Sequence, residues 1–189
     1  GWSWNGSIVN ITVPGTVFAG FEVAGVDVLA NNVTIENVRI VRPGAQWWAI
    51  AIRHAQGTVI RNCELGGTDT GSNRMMVAIK TIYGDEGDTF VWRCNIHHVG
   101  TGVQIDRGLI EDCYIHDMGM IAGDHINGTT SNGGSQLLTI RHNTILNQFD
   151  QTDAVSLFQD FGEQHNRVIE NNLLAGGGYT IYAGQNTGK

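Results

Sequence analysis

Six gapless copies of an eight-residue segment, apolar residues at alternate positions within them, and the near absence of helical periodicity predict an all-β chain. The predicted architecture is a solenoid: a single-stranded right-handed parallel β-helix of about six to seven rungs, with residues 1–189 as one domain.

The copies begin at Val33, Thr58, Thr89, Gly108, Leu138 and Arg167, with a weaker one at Thr16. Their third position reads Ile35, Ile60, Val91, Ile110, Ile140 and Ile169, and their eighth Ile40, Leu65, Ile96, Ile115, Ile145 and Leu174. Both columns are expected to point inward. The sixth reads Val38, Cys63, Cys94, Cys113, Asn143 and Asn172. Asn replacing small apolar residues there fits an interior ladder whose amides bond the turn backbone.

The fourth position reads Glu36, Arg61, Trp92, Glu111, Arg141 and Glu170, and is expected to face outward. Glu and Arg mostly alternate, which places opposite charges on neighbouring strands about 4.8 Å apart. Such exposed pairs are worth only tenths of a kcal/mol. A second strand is expected after each copy, at Ala49–Ile52, Val77–Ile79, Val103–Ile105, His125–Asn127, Ala154–Leu157 and Thr180–Tyr182. The strands recur while the connections vary in length, as in a solenoid whose turns carry loops.

Composition narrows the partners. Charged residues make up 15% of the chain and the formal net charge is −7. This argues against nucleic acid and anionic membrane surfaces, which need clustered Lys and Arg, but leaves acidic sugars open, since a few local Arg can outweigh the global sign. No apolar run approaches the ~20 residues of a membrane span, so no membrane insertion is expected. Three cysteines in no zinc-binding spacing are expected to be buried free thiols. The chain starts at Gly1 without Met, and Gly176–Tyr182 reads as a rung followed at once by the end. A piece of a longer protein is therefore expected.

The phrases from Asn32 to Ile40, Leu138 to Ile145 and Val168 to Leu174 resemble the repeat of pectate-lyase-like parallel β-helix proteins, of bacterial or phage type. The resemblance covers roughly Thr16 to Gly184. It implies an extracellular or virion protein with a polysaccharide or cell-surface glycan as partner, and a trimer for a phage-derived member. It implies cleavage of an acidic or neutral glycan by a lyase or hydrolase. The alternative is a non-catalytic glycan-binding or structural module, because that superfamily holds both.

Chemistry is expected between the two strand families. His97 should neighbour His116 and His98 should neighbour Asp117 on successive rungs. Asp124-His125-Ile126-Asn127 and Asp153-Ala154-Val155-Ser156 follow, and Asp124 and Asp153 are expected to stack. Asp124-His125-Ile126-Asn127 resembles an Asp-Gly-Ile-Gln phrase of bacterial and phage relatives, with His for Gly and Asn for Gln. For a lyase, His98 or His116 would be the base. Asp124 and Asp153 would hold Ca²⁺, and Arg107 or Arg141 would meet the uronate. For a hydrolase, Asp124 and Asp153 would be the carboxylate pair. The candidate catalytic set is thus His98, His116, Asp117, Asp124, His125 and Asp153. Trp47, Trp48 and Trp92 are candidate sugar platforms, with one of Trp47 and Trp48 outside. The bland alternative is turn capping and packing. His142 and Asp112 are expected to be turn residues.

Overall fold

A computed structural model of the chain describes residues 1–44 and 48–184. Among the described residues there is no helix, so none is long and apolar enough to cross a membrane. The strands form three sheets, of nine, seven and six strands. Successive turns of the chain visit the three in rotation. Thr58–Arg61 lies in the seven-stranded sheet, Glu64–Gly66 in the six-stranded and Met75–Thr81 in the nine-stranded. Thr89–Trp92, Asn95–His97 and Val99–Gln104 then stack on them in parallel. Among the described residues only Trp2–Trp4 joins antiparallel, on Val9–Ile11. The result is an all-β stack of parallel sheets wound as a solenoid.

The eight-residue repeat is not one strand, as expected, but two joined by a corner. Its fifth position, Asn37, Asn62, Arg93, Asp112, His142 and Asn171, has φ between 50° and 55° throughout. That left-handed conformation suits Asn and Asp, whose short polar side chains tolerate it. His142 and Asp112 are thus turn residues. The corner also resets the alternation of faces. Position three and positions six and eight all point inward although their parities differ. Ile35, Ile60, Val91, Ile110 and Ile140 are buried at the third position, and Ile40, Leu65, Ile96, Ile115 and Ile145 at the eighth.

The sixth-position column lies in register at that corner. Asn143 donates to the Ile110 carbonyl at 2.9 Å and accepts the Cys113 amide at 2.9 Å, and Asn172 repeats the pattern one turn on. The three cysteines are free and buried, each thiol donating to the carbonyl two residues earlier at 3.2–3.4 Å. Hydrogen bonding with Cys113 and Cys63, together with burial, holds the Cys94 thiol well above its ordinary range. On the outward fourth position, Arg61 meets Glu36 at 2.9 Å and Arg141 meets Glu111 at 2.7 Å.

In the nine-stranded sheet Ile50, Ile79, Val103, Thr129, Val155 and Ile181 share one register column, and Ile50, Ile79, Val103 and Val155 belong to the core. The sheets come close there: a side chain at Gly128 would begin 2.2 Å from Ile145 Cγ2. The next column, Lys80, Gln104, Thr130, Ser156 and Tyr182, lies along the same sheet. At the first turn Trp2 packs edge-on against Phe18 and Phe21, while Trp4 stays exposed.

Candidate functional site

The histidine pairs form on the six-stranded sheet and the corner after it. His97 and His116 are register partners, 5.7 Å apart between ring centroids. The His98 amide bonds the Asp117 carbonyl, with both residues in the left-handed conformation. His97 Nδ1 lies 2.8 Å from His98 Nδ1, and His97 Nε2 lies 3.3 Å from Glu64. His116 is held on both sides, by Asp117 at Nδ1 and by Asn95 Oδ1 at Nε2, each at 2.8 Å, with Tyr114 stacked on its face. Both ring nitrogens of His116 are thus engaged by neighbouring side chains.

Asp124 and Asp153 do not stack on each other. The register partner of Asp153 is Asn127, three residues past Asp124. The loop ending at Asp124 instead reaches back two turns, to Arg74 just before Met75–Thr81. There the Asp124 carboxylate takes two hydrogen bonds from Arg74, through Nε and, at 2.6 Å, through Nη2. It also accepts the Ile121 amide at 2.9 Å. Burial pushes its pKa up, but these donors and the Arg74 charge outweigh that and hold it below the usual carboxylate value. Gln151 bonds the Asp124 carbonyl, and Gln148 clasps the Met118 backbone at both ends. These loops are thus knitted together, with Asp124 as an internal tie.

Asp153 is fully buried. One oxygen accepts the Ser156 hydroxyl, which also bonds Asn127 Oδ1 at 2.9 Å, while Oδ2 has no hydrogen-bond partner. Burial pushes its pKa up to about 7, against the smaller opposing effect of Ser156. Among the described residues no group of three or more His, Cys, Asp or Glu is placed to hold a metal ion.

The open space lies on the nine-stranded sheet. One cavity of about 330 Å³ is lined by Thr101, Gln104, His125, Asn127, Thr130 and Asn132, with Phe158 and Asp160 at its margin. A second, of about 750 Å³, shares Gln104, Asn132 and Asp160 with the first and continues past Tyr83, Asp106 and Phe161. Together they form one groove across consecutive turns. Three aromatic rings stand at it. Phe161 is 83% exposed, Tyr83 is backed by His54 in a stack of 4.1 Å, and Phe158 packs against Tyr182. Glu86 accepts the amides of His54, Ile82, Tyr83 and Gly84, which fixes the loop carrying Tyr83. The Thr130 hydroxyl is buried in the groove lining without a hydrogen-bond partner.

Of the residues expected to meet substrate, Arg107 lines the larger cavity but is paired with Asp88 at 2.9 Å. Arg141 and Trp92 lie on the seven-stranded sheet, away from the groove lining. Trp48 carries Arg53 over its ring at 5.2 Å, and Trp47 lies outside the described residues. His125 alone among the catalytic candidates lines the groove. Tyr83, Gln104, Thr130, Asn132, Phe158, Asp160 and Phe161 were not anticipated. A readable signal was the column Lys80, Gln104 and Thr130 beside the core column.

The fold and groove define an all-β parallel solenoid with a polar cleft on one sheet. Compared with known proteins, the chain matches no family model, no curated protein and no solved structure.

Proposed function

We propose that the protein is a carbohydrate-active, single-stranded right-handed parallel β-helix of pectate-lyase-like type. In this reading it binds an extracellular or cell-surface polysaccharide along the groove of the nine-stranded sheet. One observation carries the reading: the groove is lined by neutral polar side chains, Gln104, Asn127, Thr130 and Asn132 among them, together with aromatic rings. Sugars offer the complement, with hydroxyls for the polar side chains and C–H faces for the rings. Right-handed winding is the sense that twisted parallel strands favour.

The test is calorimetric titration of the intact protein against a panel of soluble polysaccharides. Saturable binding to at least one is expected. No binding across neutral and acidic glycans alike overturns the proposal.

Cleavage is the second reading, and the carboxylate and imidazole in the groove lining favour it. Asp160 and His125, both in the lining of the smaller cavity, are the groups for such chemistry. Incubation with each bound glycan should then yield new reducing ends, and a lyase should also yield the ultraviolet absorbance of an unsaturated uronate. Neither signal leaves the protein a binding module.

A further inference from the structure

We infer that the groove selects neutral glycans and disfavours polyuronates. This inference rests on the glycan-binding reading above and names its substrate class.

The charge of the groove lining is predominantly negative. The larger cavity is lined by four carboxylates, Asp85, Glu86, Asp106 and Asp160, against two cations, Lys80 and Arg107. The smaller adds no Lys or Arg. Three of the carboxylates have local partners: Asp106 accepts the Ser131 hydroxyl at 3.0 Å and the Asn132 amide at 2.6 Å, Glu86 accepts backbone amides, and Asp85 meets His54 at 2.6 Å.

The cations are mostly committed. Arg107 holds Asp88. Arg167 reaches the same loops but directs its N–H groups to the Gln164 side chain and to the carbonyls of Gln136 and Gly134. Arg74 is buried against Asp124. Among the described residues Lys80 is the one groove cation with no carboxylate partner. A polyuronate brings one negative charge per ring, so several rings would face a wall of the same sign. The hydroxyls of a neutral glycan instead match Thr101, Gln104, Asn127, Thr130 and Asn132.

The same charge balance bears on reaction type. Elimination beside a uronate carboxylate needs a cation to neutralise the developing charge, and the groove keeps its arginines engaged. A neutral substrate has no such carboxylate, so any cleavage there is hydrolytic.

The experiment compares neutral oligosaccharides (glucan, xylan, mannan and galactan series) with oligogalacturonate and oligoalginate on the intact protein, with and without added Ca²⁺. At least one neutral series should bind, and each uronate should bind about tenfold more weakly or worse, with the gap narrowing as salt screens the wall. Asp88→Asn, outside the groove lining and half-exposed, should release Arg107 and strengthen uronate binding about threefold or more, with neutral binding unchanged. Uronates binding more tightly than neutral glycans, alone or through Ca²⁺, overturns the inference while the glycan-binding reading stands. An unaltered uronate affinity in Asp88→Asn overturns the charge account. Absence of binding to either class removes the reading and the inference together.

Discussion

Arg74 and Asp124, fifty residues apart in the chain, close a two-point ion pair between loops of different turns. The arginine is 2% exposed and the carboxylate 16%. A pair this enclosed is asymmetric in its energetics: removing one partner strands the other in a low-dielectric site. Asp124→Asn should therefore cost about 3–5 kcal/mol in urea denaturation. The carboxyl is held below its ordinary value in the folded state. Its stabilisation is therefore present above the unfolded pKa of about 3.9 and lost as pH falls through the folded value. Wild type should lose stability on acidification in that range, and Asp124→Asn should lose less. Equal acid sensitivity in the two would refute the tie.

Asp153 has the opposite sign. Burial raises its pKa to about 7, so the folded protein keeps a proton that the unfolded chain releases above about 3.9. The stabilisation from holding that proton is complete below pH ~4, declines from there and is gone above pH ~7. Asp153→Asn keeps the shape without the ionisation. It should match wild type at pH 4 and exceed it at pH 8 by a few kcal/mol, an order-of-magnitude figure for a shift of this size. Denaturation midpoints at the two pH values check this; a variant less stable than wild type at pH 8 contradicts it.

Much of the fold was legible because its columns repeat. Ile35 to Ile140 and Ile40 to Ile145 read as interior from sequence and are buried, and the same alignment placed His97 beside His116. The corner was read only at His142 and Asp112, the expected turn residues, and not as a break running through every copy, although the change of parity between positions three and eight implies one. Asn37, Asn62 and Asn171 carry its signature, while Arg93 holds the same conformation without advertising it. Asp124 was misplaced because the length of the connection after Asp117 is set by the Arg74 contact, fifty residues back, which no local pattern reports. Most of the groove rim escaped notice for a related reason. Tyr83, Phe158 and Phe161 sit in connections after the second strands, where nothing repeats.

The asparagine ladder makes a graded prediction. Asn143 is 2% exposed and bridges the Ile110 carbonyl to the Cys113 amide. Asn143→Ala leaves both groups buried without partners and should cost about 2–4 kcal/mol. Asn143→Cys introduces the residue that the preceding turns use at this corner, where each thiol donates to the carbonyl two residues back. It should recover part of that loss. If Cys is as costly as Ala, the column does not interchange the two side chains as its sequence suggests.

Phe161 separates groove function from folding. At 83% exposure its ring supports little of the core, so Phe161→Ala should change stability by no more than about 0.5 kcal/mol. In the groove the same ring shares the lining with amides and hydroxyls, where a sugar would stack on it. Loss of an aromatic stacking face is worth about 0.5–1.5 kcal/mol, roughly a threefold to tenfold weakening. Phe161→Trp keeps a face of the same kind and should retain binding. The measurement is glycan affinity beside melting temperature for the three proteins. Weakened binding in Phe161→Ala at unchanged melting temperature, with Phe161→Trp near wild type, assigns the ring to recognition. Equal affinity across the three would remove Phe161 from the site.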